Sequence, residues 1–128
     1  MSEGDRLLDR RAGLEQEFFL VEESGRPSER GDEFLRSCQA MTEESGTAAC
    51  FAPEFVLGLV EVNTPPLYTL FDLEREYARN LELAVRAART LGLRLYPLGT
   101  YPLPLEPPAK GWTTGSRAAS AGNCSTQP

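Results

Sequence analysis

The chain has 128 residues, with 13 basic against 19 acidic side chains and a formal charge of −6. That length fits one domain with a core of its own, and the acidic balance argues against nucleic acid or an anionic membrane, which reward clustered Lys and Arg. There is no histidine, which excludes Ser-His-Asp and Cys-His catalysis and His-ligated zinc.

Residues 1–11 are rich in charge and are expected to fray. Gly13-Leu14-Glu15-Gln16-Glu17-Phe18-Phe19-Leu20-Val21 then reads as a strand, because aromatic and branched residues suit a pleated surface and Glu-Ser-Gly-Arg-Pro at 23–27 supplies turn chemistry. Alternation puts Leu14, Gln16, Phe18 and Leu20 on one face and Glu15, Glu17, Phe19 and Val21 on the other. Two acids on one face of an apolar strand repel each other unless a cation compensates.

Residues 28–40 carry a short helical pattern, with Ser28 or Asp32 as N-cap and Phe34-Leu35 turned inward. The polar, small residues from Thr42 to Cys50 predict a loop. A second strand is expected over 55–64, stopped by Pro65-Pro66, with Gly58 marking a bulge or a close backbone approach. Its alternation groups Leu57, Leu59, Glu61 and Asn63 opposite Val56, Gly58, Val60 and Val62.

Thr69 and Asp72 have capping-box spacing. Leu70, Leu73, Tyr77, Leu81, Ala84, Ala88 and Leu91 recur at steps of three and four, which predicts an amphipathic helix over 69–91. Gly92 closes it and Leu93–Gly99 forms a third strand. The fold class expected is α+β, a mainly antiparallel sheet with a long helix packed on one face. Residues 105–128 are a low-complexity tail, expected to be disordered because it lacks apolar side chains to offset its ordering entropy. Cys38, Cys50 and Cys124 form neither a disulfide framework nor a zinc knuckle. With no apolar run of membrane length and no signal-peptide pattern, the expected location is cytoplasmic.

If the two acidic strands are neighbours, Glu15, Glu17, Glu61 and Asn63 meet on one patch. Hard oxygen donors of that kind suit Mg²⁺ or Mn²⁺ bridging to phosphate. On spacing alone, plain surface carboxylates outweigh a metal site by about two to one.

The residues also carry a resemblance. Gly13-Leu14-Glu15-Gln16-Glu17-Phe18-Phe19, then Glu61-Val62-Asn63-Thr64, then a long helix leading to Gly99-Thr100-Tyr101-Pro102, resemble in order and spacing the N-terminal part of the second glutamate–cysteine ligase family, over about residues 12–104. The resemblance implies a partial glutamine-synthetase-like catalytic domain and an ATP-dependent ligase of glutathione biosynthesis. In it ATP phosphorylates the side-chain carboxyl of L-glutamate, and the amine of L-cysteine, or another amine, attacks the acyl phosphate. It further implies that Glu15, Glu17 and Glu61 bind Mg²⁺ or Mn²⁺, and that Asn63 and Thr64 line the substrate pocket. Tyr101 stands where many relatives carry histidine. Members of the family are much longer, and the segments that bring their ATP-binding Arg and Lys find no counterpart here. A truncated or frameshifted gene is one explanation. The alternatives are a non-catalytic α/β interaction module, self-associating through an uncovered sheet face, and an inactive remnant.

Overall fold

The computed structural model describes residues 10–46, 49–53 and 58–97. The frayed start expected over residues 1–11 (apart from Arg10 and Arg11), the Gly99-Thr100-Tyr101-Pro102 turn and the tail 105–128 lie outside the described residues. The elements in chain order are β1 (Glu15–Val21), α1 (Gly31–Ser45), β2 (Cys50–Pro53), β3 (Leu59–Asn63), α2 (Leu70–Thr90) and β4 (Arg94–Tyr96). The strands make one four-stranded sheet in the order β2-β3-β1-β4, with every neighbouring pair antiparallel. The fold is therefore α+β, as the sequence predicts.

Both helices contribute to one core. Phe18 and Leu20 from β1 and Val60 and Val62 from β3 pack with Phe34 and Cys38 of α1, with Ala84, Ala87 and Ala88 of α2, and with Leu93. These strand residues are the ones that alternation assigned to the face without acids. Small residues at 84, 87 and 88 let α2 sit close to the sheet. Arg30 locks the helices together: its guanidinium donates a two-pronged pair of bonds to Glu33 (2.7 and 3.0 Å) and a third, of 2.9 Å, to the Leu91 carbonyl at the end of α2. The Arg30 bond holds the Glu33 carboxyl below its usual range.

Four predicted features differ from the structure. The helix expected over 28–40 runs on to Ser45, through residues expected to form a loop. Thr42 donates its hydroxyl to the Cys38 carbonyl (2.8 Å), which absorbs the polar side chain inside the helix, and Gly46 closes it in the left-handed conformation. Its N-cap is Arg30 rather than Ser28 or Asp32; buried Ser28 instead accepts the Arg30 N–H at 3.1 Å. Strand β2 falls partly in the same expected loop. Finally, Leu70 is 82% exposed, and the first residue of α2 packed on the core is Tyr77, so the core stripe begins later than periodicity implies; Asn80 is fully buried beside it.

The cap of α2 forms as the spacing predicts. Thr69 has extended backbone angles, its hydroxyl oxygen accepts the Asp72 N–H at 3.0 Å, and its hydroxyl donates to the Asp72 carboxylate at 2.7 Å. Thr69→Ala is expected to lower stability by about 1 kcal/mol, read from a thermal melt by circular dichroism; an unchanged melt would mean that packing alone sets the start of the helix.

Burial pushes the Cys38 thiol up to about 12 from its ordinary 9.0. The thiol is fully buried, so Cys38 should resist thiol reagents at pH 8.5 in the native protein and react only on unfolding. Because the folded value is the higher, the neutral thiol favours the fold below about pH 9, and that advantage is lost as pH rises towards 12. Cys38→Ala should remove this part of the alkaline loss, and a wild-type-like alkaline profile in that variant would contradict the assignment.

Candidate functional site

The register between β1 and β3 builds the site. Glu15 pairs with Asn63, Glu17 with Glu61, and Phe19 with Leu59. The Leu20 N–H donates to the Gly58 carbonyl at 2.6 Å and the Thr64 N–H to the Leu14 carbonyl at 2.9 Å, so the pairs 20/58 and 14/64 are hydrogen-bonded ones. Since such pairs alternate, 15/63 and 17/61 are non-hydrogen-bonded pairs, whose side chains approach most closely, with Cα atoms about 4.5 Å apart. On the far side of β3, Ala52 stands opposite Glu61 and Cys50 opposite Asn63.

This face, turned away from the helices, divides along its length. At the β4 end it is apolar: Phe19 and Val21 are buried, with Leu59 packed against them. At the other end it is acidic, with Glu15 and Glu17 exposed and Glu61 and Asn63 half-buried. The apolar half of the face is therefore not an open surface. Tyr96, opposite Phe19 at this end, is 42% exposed, and the other large exposed apolar side chains, Tyr68, Leu70 and Phe71, lie around the start of α2.

Glu17 and Glu61 are like charges directly opposite each other, an arrangement that destabilises a sheet. The ion pairs among the described residues are Arg30–Glu33, Arg75–Asp72 and Arg79–Glu76, and none of them reaches Glu15, Glu17 or Glu61. Asn63 donates from Nδ2 to Glu61 Oε1, which fixes the carboxylate. Asn63 Oδ1 is buried and receives no donor. A buried acceptor without a donor costs roughly 1–3 kcal/mol. Two facing carboxylates and an orphaned amide oxygen beside them form an oxygen-only donor set of the type Mg²⁺ and Mn²⁺ accept when substrate phosphate and water complete the shell. Among the described residues no group of three or more His, Cys, Asp or Glu side chains is placed to hold a metal ion by itself. The donor set present is thus a partial one: Glu17, Glu61 and Asn63 come together, and Glu15 stands one pair further along the same face.

Thr64 lies on the opposite side of the strand from Asn63. It is buried, and its hydroxyl oxygen accepts the Leu14 N–H at 2.9 Å, which ties down the entry to β1. Tyr101 lies outside the described residues. One polar residue escaped the sequence reading. Asn80 of α2, fully buried, donates from Nδ2 to the Asn63 carbonyl at 2.8 Å. Its only signal in the sequence is an amide at a step of three from Tyr77 and four from Ala84.

Comparison with family models matches residues 11–117 to glutamate-cysteine ligase family 2. The matched span includes β1, β3 and all four residues of the acidic patch, and continues beyond residue 104. Comparison with curated proteins and with solved structures gives no match.

Proposed function

Since the chain belongs to glutamate–cysteine ligase family 2, we propose that it supplies the cation-binding carboxylate face of an ATP-dependent ligase. That ligase joins the side-chain carboxyl of L-glutamate to the amine of L-cysteine or another acceptor. The observation that supports this reading is the non-hydrogen-bonded Glu17–Glu61 pair with the orphaned Asn63 oxygen at its side. An arrangement that weakens the free sheet gains its rationale from a cation. Such a reaction brings a polyanionic nucleotide up to a carboxylate, and it needs positive charge between them.

Glu17 and Glu61 would hold Mg²⁺ or Mn²⁺ with Asn63 Oδ1, and Glu15 would extend the negative rim towards it. The bound ion supplies neutralisation and orientation of phosphate oxygens. The chain's own contribution is positional. The antiparallel register sets the two carboxylates face to face, and Asn63 holds Oε1 of Glu61, leaving the second oxygen for the cation. The buried Phe19–Val21–Leu59 cluster keeps one flank of the patch dry, which strengthens charge interactions beside it. Thr64 acts through the backbone of β1 rather than on a ligand. ATP as co-substrate suits a cytoplasmic setting, and neither nucleic acid nor membrane enters the scheme; no helix among the described residues is long and apolar enough to cross a membrane.

The test is calorimetric titration of the full chain with Mn²⁺, followed by ATP in its presence. Heat on adding Mn²⁺, and nucleotide binding that requires it, are expected. A folded protein silent to Mn²⁺ would remove the reading.

A second reading, a self-associating module, draws on one observation. Tyr68, Leu70 and Phe71 are 68%, 82% and 70% exposed in adjacent positions, although Arg11 covers one ring and Arg75 another (5.4 and 5.7 Å to the ring centres). Size-exclusion chromatography with light scattering separates the two. A dimer that Phe71→Glu dissolves, with no Mn²⁺ response, would favour the module.

A further inference from the structure

Buried side-chain acceptors without a donor are found at three atoms among the described residues: Asn63 Oδ1, Asn80 Oδ1 and Glu76 Oε1. Glu76 and Asn80 are one turn apart on α2, and Asn80 is bonded to Asn63 through its carbonyl. Asn63 and Asn80 therefore belong to one contact, where α2 meets the end of β3, whereas the other oxygen of Glu76 is engaged by Arg79 on its own helix.

Asn80 is hard to explain as a stabilising residue. It sits at 0% exposure among Leu83, Ala84, Ala87 and Ala88 on the buried side of α2. It makes one hydrogen bond and leaves one acceptor unsatisfied, and the gain from a single bond is usually smaller than the penalty of a buried orphan. An apolar residue of similar volume would serve the core at least as well. What the amide does provide is a hold on one point of the backbone, the carbonyl of the residue whose side chain grips Glu61. From helix to patch the connection is continuous: Asn80 Nδ2 to the Asn63 carbonyl, Asn63 Nδ2 to Glu61 Oε1, and Glu61 opposite Glu17. β3 ends at Asn63, and Thr64, tied to Leu14 on the β1 side, is followed by Pro65-Pro66. Without this bond, the last residue of the strand would be held on its far side by the short strand β2 alone.

We infer that Asn80 is a positioning residue for the carboxylate patch, fixing the end of β3 so that Asn63 and Glu61 present their oxygens to a divalent cation. The inference rests on the cation reading of the patch and adds to it a residue on the opposite side of the sheet. Positions where a buried polar group is kept at the expense of stability are where function rather than folding sets the residue. Groups that orient metal ligands from behind have a recognisable effect when removed, a loss of affinity of about 10–100-fold.

The experiment uses the full chain with Mn²⁺ as probe. Asn80→Leu is expected to melt no lower than wild type and to bind Mn²⁺ about 10–100-fold more weakly, with the Thr64 amide, which shares its peptide unit with the Asn63 carbonyl, displaced in the metal-free ¹⁵N spectrum. Asn80→Ala, which cannot crowd the core, should show the same loss of affinity. Leu83→Ala, in the same buried row of α2, provides the comparison: it should lower the melting temperature and leave Mn²⁺ affinity unchanged. If both Asn80 variants bind Mn²⁺ as tightly as wild type, the inference fails while the cation reading stands. If Leu83→Ala loses as much affinity as they do, Asn80 is an ordinary core residue and the inference fails. If wild type itself does not bind Mn²⁺, both fall together.

Discussion

Glu17→Gln and Glu61→Gln should each raise the stability of the metal-free protein while abolishing its response to Mn²⁺. The two effects have opposite signs for one reason. In the free protein the carboxylates face each other in a non-hydrogen-bonded pair, and removing one charge relieves a repulsion worth about 0.2–1 kcal/mol. With a divalent cation present the same two charges become ligands, and a cation that binds only the folded state stabilises it by mass action, by about 2.7 kcal/mol at a hundred times its dissociation constant. Wild type should therefore gain melting temperature on addition of Mn²⁺, and the variants should not. Glu61→Gln retains an oxygen able to accept the Asn63 bond, so its effect isolates charge from hydrogen bonding. Salt provides a further check: Glu17 is exposed, so the stability gained in the free protein should shrink as ionic strength rises. Variants less stable than wild type without metal would show that the pair does not repel and so does not call for a cation.

Glu15→Gln is the internal comparison. Glu15 faces neutral Asn63 rather than another acid. The same substitution there should change metal-free stability less, and should weaken rather than abolish the Mn²⁺ response. The structure thus ranks three glutamates that the sequence presented as equals.

What the sequence revealed about this patch, and what it hid, follow from the range over which each signal acts. Face assignment within a strand needs only the two-residue period, and Glu15, Glu17, Glu61 and Asn63 fall on one face as parity requires. That β1 and β3 are neighbours is a long-range fact, which the residues stated only conditionally. Ranking Glu17 with Glu61 needed the register as well. Strand β2 was hidden because Cys-Phe-Ala-Pro is four residues long and ends in proline, a composition that signals an edge or a turn. The last turn of α1 was hidden by Thr42 and Ser45, which are turn formers unless, as here, their hydroxyls bond back to carbonyls of the preceding turn, at 2.8 and 3.2 Å. Asn80 was hidden for a different reason. The apolar stripe at 77, 81 and 84 passes over a polar residue at 80, and the amide acquires a role only through a carbonyl seventeen residues earlier in the chain.

Gly58→Ala is expected to be among the most damaging single changes in the molecule. Gly58 has φ of +80°, and an added Cβ would lie 3.1 Å from Pro27 Cβ and 3.1 Å from the Ser28 carbonyl oxygen. The left-handed backbone costs an alanine roughly 1–2 kcal/mol, and the crowding adds about 1–3 kcal/mol because part of what it meets is backbone, which cannot swing aside. Together they set an expected loss of about 2–5 kcal/mol, measurable by urea denaturation. Gly46→Ala separates the two contributions: its φ is +64° with nothing within 4 Å of the added carbon, so it should show the backbone part alone, about 1–2 kcal/mol. Equal losses at the two sites would mean that the 27–28 segment yields freely. The consequence reaches the acidic patch, because Gly58 accepts the Leu20 N–H, and the Leu20 carbonyl accepts the Ser28 N–H at 2.7 Å. The first of those bonds closes the register that sets Glu17 opposite Glu61 and the second seats the crowding 27–28 segment on the same residue, and a one-residue slip would turn Glu61 and Asn63 towards the helices. A Gly58→Ala protein that still folds should accordingly lose Mn²⁺ affinity along with stability, whereas Gly46→Ala should lose stability alone.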